Sequence, residues 1–333
     1  MDRCGLVADV GGTNVRFALV DLDRPRGVSL VAPQELVAKA HAGIAEAARS
    51  YLAGRKLAAP PAAAVLAVAG PVRDDAISLT NLNWSFSADG LRGALHIDRV
   101  HLINDFEAVA YCVPHLEASD LVAIGPVLPA PDPAKERETV AIVGPGTGLG
   151  VGGYVRSHDA MFALVTEGGH VAFAPTDDLE IEVLKFLRKR HRHVSAERIL
   201  SGPGLANLHE AMAEIEGVGG DRLEAHQITA RARMDADSFC AKVFARFCAI
   251  LGSVCGDVAL VMGAREGMLI AGGILPAMAD IFAASAFRER FEAKGRFREY
   301  LREIPTRLIV QDYAGLMGAA AYLRREGAGP SHR

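Results

Sequence analysis

The sequence lacks the features that are typical of disulfide-rich, zinc-binding, secreted and membrane proteins. It has only five cysteines among 333 residues, with no CxxC pair and no Cys/His cluster, so neither a disulfide framework nor a zinc site is predicted. It has no run of about 18 apolar residues that could cross a membrane. Asp9, Asn14 and Arg16 interrupt any signal-peptide core. We therefore expect a cytoplasmic protein with reduced, buried thiols and no membrane partner.

An excess of charge of one sign is also missing. The 36 Lys and Arg residues nearly balance the 40 Asp and Glu residues, for a net charge of −4. This balance offers no electrostatic reason to expect a nucleic-acid partner. Half of the residues are apolar and 23% are charged, which is typical of globular proteins. At roughly 150 residues per domain, the length suggests two domains or one large one.

Glycine, in contrast, is abundant, with 34 residues. Much of the excess lies in short clusters at 11–12, 144–153, 168–169 and 272–273. Clustered glycines are typical of loops in which the backbone approaches another group closely. These loops are therefore the first candidates for a binding site.

Hydrophobic patterning predicts strands that alternate with helices, which is typical of an α/β protein. The predicted strands are 5–10, 15–21, 63–69, 100–103, 140–143, 149–155, 258–262, 268–271 and 306–311. The predicted helices are 35–52, 106–113, 180–190, 204–216, 235–254 and 315–325. The proline-rich stretch 126–138 is predicted to be a surface loop.

The pattern of an apolar strand, a Gly-Thr turn and a return strand occurs twice. Gly12-Thr13 lies in the first turn and Gly146-Thr147 in the second. Two related halves, each with a glycine-rich hairpin, indicate a duplicated α/β fold.

Two familiar glycine motifs do not explain these turns. A Walker A loop needs a Gly-Lys pair, and no lysine in this chain follows a glycine. Gly148, Gly150 and Gly153 match GxGxxG, but a strand and not a helix is predicted after them. Because dinucleotide binding needs a helix N-terminus under the pyrophosphate, we interpret this match as chance.

A different interpretation is that two glycine hairpins hold phosphates from both sides. Gly11, Gly12 and Thr13 would offer backbone N–H groups and a hydroxyl, and Gly146, Thr147 and Gly148 would offer the same. Each turn alone could be an ordinary tight turn. The repetition of Gly-Thr, with an acid at Asp9, favours phosphate binding.

Six segments together resemble the bacterial ATP-dependent glucokinases of the hexokinase and actin-like ATPase superfamily. They are Asp9-Val-Gly-Gly-Thr-Asn-Val-Arg-Phe, Leu102-Ile-Asn-Asp-Phe-Glu-Ala-Val, Val143-Gly-Pro-Gly-Thr-Gly-Leu-Gly, Thr166-Glu-Gly-Gly-His, Ala196-Glu-Arg-Ile-Leu-Ser-Gly-Pro-Gly-Leu and Ala271-Gly-Gly-Ile. They occur in order between about residues 5 and 323. The cysteine-rich zinc motif of the related repressor and sugar-kinase (ROK) family is missing, so the resemblance is to the zinc-free group.

The resemblance implies a two-lobed, duplicated actin-like (ribonuclease H-like) α/β fold with a central cleft between the lobes. The smaller lobe would comprise 1–113 and 314–333, with the first phosphate turn and the catalytic acid. The larger lobe, 114–313, would carry the second phosphate turn and the sugar and adenosine contacts. A homodimer is also implied.

The resemblance assigns the sugar site to five residues. Asp105, where a strand gives way to a helix, would be the general base for the 6-hydroxyl and a sugar ligand. The other sugar ligands would be Asn104, Glu167, His170 and Glu197. Taken singly, Asp105 could be a helix cap, Asn104 a turn residue, Glu167 and His170 metal ligands, and Glu197 an acid at a helix start.

The nucleotide site follows the glycine motifs. Asp9 would hold Mg²⁺ through water, and Asn14 would join the first turn in binding ATP. Gly272 and Gly273 resemble an adenosine-binding loop. The implied cofactor is Mg²⁺ with ATP, without zinc.

The resemblance therefore implies transfer of a phosphoryl group from ATP to D-glucose, the first step of glycolysis. A kinase for fructose, mannose or N-acetylmannosamine is the alternative within the same class. A non-catalytic sugar sensor on the same fold is another, but the first hairpin begins at residue 5, where such sensors carry a DNA-binding domain. An NAD-dependent oxidoreductase would rest on the GxGxxG match alone.

Overall fold

The computed structural model describes residues 3–24, 27–70, 72–79, 82–128, 137–158 and 160–327. The strands are β1 Cys4–Val10, β2 Asn14–Asp21, β3 Leu30–Val37, β4 Ala63–Val68, β5 Ala76–Leu79, β6 Trp84–Ser87, β7 Arg99–Asn104, β8 Leu121–Ala123, β9 Arg137–Pro145, β10 Leu149–Ser157, β11 Ala160–Thr166, β12 Gly267–Ile270 and β13 Thr306–Ile309. The helices are α1 Ile44–Ala53, α2 Ala88–Leu95, α3 Asp105–Cys112, α4 Asp178–Arg188, α5 Gly202–Glu216, α6 Ala225–Met234, α7 Phe239–Met262, α8 Ala279–Ala283, α9 Phe287–Glu292, α10 Arg298–Arg302 and α11 Ala314–Gly327. Most of the predicted loop 126–138 lies outside the described residues.

The chain divides into two compact units. The first unit comprises the described residues of Met1–Glu117 and Gln311–Arg333, and the second those of Ala118–Val310. Each unit has its own sheet and its own hydrophobic core.

The first unit is built on a five-stranded sheet in the order β3-β2-β1-β4-β7. β1 is antiparallel to β2 and parallel to β4, and β4 is parallel to β7. β1 and β4 are nearly continuous apolar runs because both faces of the sheet are covered. Helices α1 and α2 cover one face, and α3 and α11 cover the other.

The second unit repeats this pairing in the order β11-β10-β9-β12-β13, with β8 added at the edge. β9 is antiparallel to β10 and parallel to β12, which is parallel to β13. The duplicated α/β fold predicted from the two Gly-Thr hairpins is therefore confirmed.

Helix α7 lies in the core of the second unit. It is 24 residues long and, within the described residues, the one helix long and apolar enough to cross a membrane, but most of it is buried in the protein. All five cysteines are buried, and none of them forms a disulfide bond within the described residues, as expected. Burial raises the pKa of the Cys248 thiol to about 12.

Two secondary-structure predictions are wrong. The predicted helix 35–52 begins only at Ile44, because its first three residues, up to Val37, belong to β3, which pairs with β2. The predicted strand 258–262 is the end of α7, which continues to Met262 and stops at Gly263 in a left-handed conformation. A short apolar run is compatible with a buried strand and with a buried helix, so its periodicity does not distinguish the two.

Candidate active site

In the first unit, the ends of three parallel strands bring the predicted residues to one edge of the sheet. Val10 of β1 is in register with Val68 of β4, and Val68 with Asn104 of β7. Carboxyl ends of parallel strands form the usual binding edge of an α/β sheet. The first glycine turn and the Asn104-Asp105 pair therefore follow strands that end at the same edge.

Asn104 is the N-cap of α3. Its Oδ1 accepts hydrogen bonds from the backbone N–H groups of Phe106 and Glu107, at 2.9 and 3.3 Å. Its Nδ2 donates to the carbonyl oxygen of Gly70 at 3.2 Å. The amide is thus fixed in orientation, and Nδ2 keeps a second hydrogen that these bonds do not use.

Asp105 is the first residue of α3 and is partly buried. Its Oδ1 accepts a hydrogen bond from the Phe106 N–H at 2.9 Å. A carboxylate can accept a proton from a substrate hydroxyl that lies within hydrogen-bond distance. Asn104, and not Asp105, provides the cap, so the cap does not account for an acid at 105.

The first glycine turn is held by backbone and side-chain hydrogen bonds. The Gly11 N–H donates to the Asn14 carbonyl at 3.0 Å, and the Ala38 N–H donates to the Thr13 carbonyl at 2.9 Å. The side chain of Asn14 donates to Glu35 at 2.7 Å. The Thr13 side chain is exposed.

Asp9 lies beside this turn, opposite Arg16 in the β1–β2 register. Among the described residues, no donor is hydrogen-bonded to its carboxylate. Burial raises the pKa of Asp9, and the neighbouring Glu35 adds to this, while Arg16 opposes it. A Cβ atom at Gly315, in the first turn of α11, would lie 2.8 Å from Asp9 Oδ2, so glycine makes room for the acid.

The sequence analysis missed the groups that surround Asp9. Arg16 Nε donates to Glu35 Oε2 at 2.7 Å, and its Nη1 donates to the Asp312 carbonyl at 3.2 Å. The pairing of Asp9 with Arg16 could have been read from the hairpin, because a turn centred on Gly12-Thr13 places these two residues opposite each other. No local signal indicated Asp312 or Gly315.

In the second unit, the turn Gly146-Thr147-Gly148 connects β9 with β10. It is closed by a hydrogen bond from the Gly146 N–H to the Gly148 carbonyl at 2.8 Å. The Gly202 N–H, at the start of α5, donates to the Gly146 carbonyl at 2.8 Å. The strand continues to Ser157 without a helix, so the GxGxxG match is not a dinucleotide motif.

Gly272 and Gly273 follow β12, next to this turn. Gly272 has a φ of +92°, and a Cβ atom there would lie 2.3 Å from the Pro145 carbonyl oxygen. Only glycine fits this conformation and this approach. Gly273 is exposed, with open space where a side chain would be.

Glu167, His170 and Glu197 come together beside β10. His170 Nε2 is 3.8 Å from Glu167 Oε2, and His170 Nδ1 is 3.9 Å from Glu197 Oε1. Both distances are longer than a hydrogen bond, so these atoms remain available to a ligand. Glu167 and His170 are exposed by 61% and 58%, whereas Glu197 is exposed by only 27%.

The Gly168-Gly169 pair explains how this group reaches β10. A Cβ atom at Gly169 would lie 2.0 Å from the Leu149 carbonyl oxygen, and one at Gly168 would lie 2.8 Å from the Val151 side chain. His193 Nε2 is hydrogen-bonded to the His170 carbonyl at 2.8 Å. The short segment that carries Glu167 and His170 is therefore packed tightly against the strand.

Comparison with known proteins shows the family of this chain. The family model described as glucokinase matches residues 6–326. The chain belongs to the glucokinase family. It is 48% identical to a glucokinase of Caulobacter vibrioides over 328 residues, which cover 97% of this chain and 96% of that relative.

Solved structures of the glucokinase family share the fold. A glucokinase from an Antarctic psychrotroph is 38% identical, with a TM-score of 0.82 over 98% of this chain and 99% of that one. A ROK family glucokinase from Streptomyces griseus, in complex with glucose and AMPPNP, has a TM-score of 0.66 at 19% identity, over 97% and 100% of the two chains. The predicted actin-like ATPase fold is confirmed.

The sequence left open whether Glu167 and His170 are metal ligands. Within the described part of the chain, no group of three or more His, Cys, Asp or Glu side chains could hold a metal ion. Glu197 does not complete such a group with Glu167 and His170, because it faces the other nitrogen of the His170 ring. Their alternative interpretation as a metal site is not supported.

Proposed function

We propose that the protein transfers the γ-phosphoryl group of ATP to the 6-hydroxyl of D-glucose, giving ADP and glucose 6-phosphate. The observation that carries this proposal is the group of Glu167, His170 and Glu197. Its polar atoms are not hydrogen-bonded to one another, and it lies directly against the strand that leaves the second glycine turn. Membership of the glucokinase family supports the same reaction.

Glu167, His170, Glu197 and Asn104 bind the hydroxyls of the sugar. Carboxylates accept hydrogen bonds, imidazole can donate or accept, and an amide does both, so the set suits a ligand with many hydroxyls. Buried polar groups of a site reject a ligand that leaves them unpaired. Several such groups therefore give selectivity for one hexose.

Asp105 acts as general base and sugar ligand. Its carboxylate accepts the proton of the 6-hydroxyl while that oxygen attacks the γ-phosphorus. The bond between this phosphorus and the oxygen bridging to the β-phosphate breaks, and ADP leaves. The fixed position of Asp105 at the first turn of α3 supports this role, because α3 is anchored by the Asn104 cap.

The nucleotide is bound by the two glycine turns. Gly11, Gly12, Thr13 and Asn14 contact the phosphates on one side. Gly146, Thr147 and Gly148 contact them on the other, and Gly272 with Gly273 binds the adenosine. Exposed threonine hydroxyls at 13 and 147 support this assignment, because both can donate to phosphate oxygens.

Asp9 fits the Mg²⁺ ion that accompanies ATP. Mg²⁺ keeps several of its waters and uses one or two carboxylates together with phosphates. A single carboxylate with no hydrogen-bond donor from the described residues, beside the first phosphate turn, meets this requirement through water. When bound, the ion neutralises charge on the phosphates.

The reaction is tested by a coupled assay with ATP and Mg²⁺ across glucose, fructose, mannose and N-acetylmannosamine. We expect glucose to have the highest kcat/KM. A higher value for another hexose would make the protein a kinase for that sugar. Tight glucose binding without turnover would make it a sensor, and no binding of any hexose would overturn the proposal.

The cellular setting belongs to the same proposal. We place the enzyme in the cytoplasm, at the first step of glycolysis, as a homodimer that has neither a nucleic acid nor a membrane as partner. Light scattering during gel filtration tests the dimer, and a mass of about 35 kDa, that of one chain, would contradict it.

A further inference from the structure

The carboxylate of Glu197 has two different neighbours. Its Oε2 accepts a hydrogen bond from the Leu149 N–H at 3.0 Å. Its Oε1 points toward His170, whose Nδ1 is 3.9 Å away. One oxygen therefore holds the strand that leaves the second glycine turn, and the other is available to a ligand.

Gly148 makes room for this carboxylate. A Cβ atom at Gly148 would lie 2.5 Å from Glu197 Oε2 and 3.4 Å from Glu197 Cδ. At Gly146, two residues earlier in the same turn, a Cβ atom would meet nothing within 4 Å. Neither glycine has a φ in the left-handed region. The missing side chain at 148 is thus explained by Glu197 and not by the conformation of the turn.

The segment that carries Glu197 holds the turn from its other end as well. The Glu197 carbonyl accepts a hydrogen bond from Ser201 Oγ at 2.8 Å, and Ser201 Oγ accepts one from the Gly204 N–H at 3.0 Å. The next residue, Gly202, donates to the Gly146 carbonyl. Residues 197–204 therefore fix both ends of the Gly146–Gly148 turn.

From this geometry we infer that Gly148 is a positioning residue for the sugar, and that Glu197 couples the sugar site to the nucleotide turn. The inference rests on the proposed function, in which Glu197 binds a hexose and the turn binds phosphates. A sugar hydroxyl that donates to Oε1 favours the carboxylate position in which Oε2 holds Leu149. The bound sugar thereby stabilises the turn, and by reciprocity a bound nucleotide strengthens sugar binding.

The test compares Gly148→Ala with Gly146→Ala by calorimetric titration with D-glucose in the absence of nucleotide. The added methyl at 148 displaces the end of a flexible side chain, so the fold is retained, which thermal unfolding checks. We expect the glucose Kd to rise about tenfold in Gly148→Ala, the cost of losing one hydrogen bond to a charged acceptor. In Gly146→Ala the glucose Kd stays within about twofold of the wild-type value, the scatter expected of an uncoupled site.

A second titration, with MgADP present, measures the coupling. In the wild type, MgADP lowers the glucose Kd, and in Gly148→Ala this effect is reduced or lost. In the steady state, Gly148→Ala raises the KM for glucose by a larger factor than it lowers kcat. A double variant with Glu197→Gln is no worse than Glu197→Gln alone, because both changes act through one contact.

Three results would overturn the inference. They are a wild-type glucose Kd in Gly148→Ala, an equal loss in Gly146→Ala, and effects of Gly148→Ala and Glu197→Gln that simply add. Failure of the proposed function is distinguishable, since the wild type would then bind no glucose in the first titration or would bind it without turnover in the steady-state assay.

Discussion

The two glycine turns occupy equivalent places in two equivalent sheets, yet different groups hold them. The first turn is tied to Ala38, the residue after β3, by the hydrogen bond from the Ala38 N–H to the Thr13 carbonyl, and an acid, Asp9, lies beside it. The second is tied to α5 and to Glu197. A duplicated backbone has thus been kept, while the side chains around each copy differ.

The same divergence appears at the ends of the corresponding strands. β7 of the first unit ends at Asn104, and Asp105 begins the next helix. Its counterpart β13 ends at Ile309, with the partly buried Val310 next. The first unit therefore carries the acids proposed for proton and metal chemistry, and the second carries most of the proposed sugar ligands.

The largest expected effect concerns the first unit. Asp105→Asn keeps the shape of the side chain but removes the proton acceptor. We expect kcat to fall by about 10²–10⁴, the usual contribution of a general base. The KM for glucose should change little, because the amide oxygen still accepts a hydrogen bond. A coupled assay measures both constants.

Asp98→Asn is the matched control for this variant. Asp98 is exposed and precedes β7 at the opposite end of the strand from Asp105. It should retain wild-type kinetics. A general base contributes at least about a hundredfold to the rate. If Asp105→Asn keeps more than about a tenth of the wild-type kcat, the loss is too small and Asp105 is not the base.

The next largest effect is expected at glycines that allow two helices to approach closely. One such glycine lies in each unit. A Cβ atom at Gly318 of α11 would lie 1.6 Å from the Ala108 carbonyl oxygen of α3. A Cβ atom at Gly252 of α7 would lie 2.2 Å from the Phe287 carbonyl oxygen of α9. Each glycine to alanine change should lower the free energy of unfolding by about 1–3 kcal/mol, as overpacking does.

The two variants are expected to differ in kcat. Gly318→Ala displaces α3, which begins at Asp105, so kcat should fall as well. Gly252→Ala affects α7 and α9, which carry none of the proposed ligands, so its kcat per folded molecule should be unchanged. Urea unfolding and assays at a temperature where both are folded measure this. Equal kcat values would show that α3 packing does not position Asp105.

Most of the candidate site could be predicted because its signals are local. Gly-Thr turns, the Asn104-Asp105 pair and the Thr166–His170 segment are each readable within a few residues. The contacts that hold them are not, since Gly315 is far along the chain from Asp9, as Glu197 is from Leu149. The strand β3 was misread for a similar reason, because its conformation depends on pairing with β2.

The threonine of each turn gives a smaller effect and tests whether the two turns share one role. Thr13→Val and Thr147→Val each remove a hydroxyl of an exposed side chain without changing its size. Each should raise the KM for ATP about tenfold, the cost of one hydrogen bond to a charged phosphate. The KM for glucose should stay near the wild-type value in both. A glucose defect with normal ATP binding in Thr147→Val would reverse the assignment of the second turn.

The smallest expected effect is on the free energy of unfolding and concerns Asp177. This acid of the second unit lies near an arginine, as Asp9 does in the first unit. Asp177 caps α4, because its Oδ1 accepts the Glu180 N–H at 2.9 Å, and its Oδ2 is bound by Arg246. Burial would raise the pKa of Asp177, but the Glu180 N–H and the Arg246 guanidinium outweigh it and lower the pKa. In Asp9, burial outweighs Arg16, and the pKa is raised. Asp177 is therefore an acid that stabilises the fold by being ionised.

Asp177→Asn keeps the cap and removes the charge. It should cost about 0.5–1 kcal/mol of unfolding free energy at pH 7, since the side chain is partly exposed. Because the pKa is lower in the folded state than in the unfolded state, this contribution is complete above the unfolded value of about 4. It disappears as the pH falls through the lower folded value, where the wild-type carboxylate also loses its charge. Urea unfolding at pH 7, 5 and 3 should therefore show the same difference between the two proteins at pH 7 and 5, and a smaller difference at pH 3. No difference at any of these pH values would mean that Asp177 stabilises α4 as a cap and not through its charge.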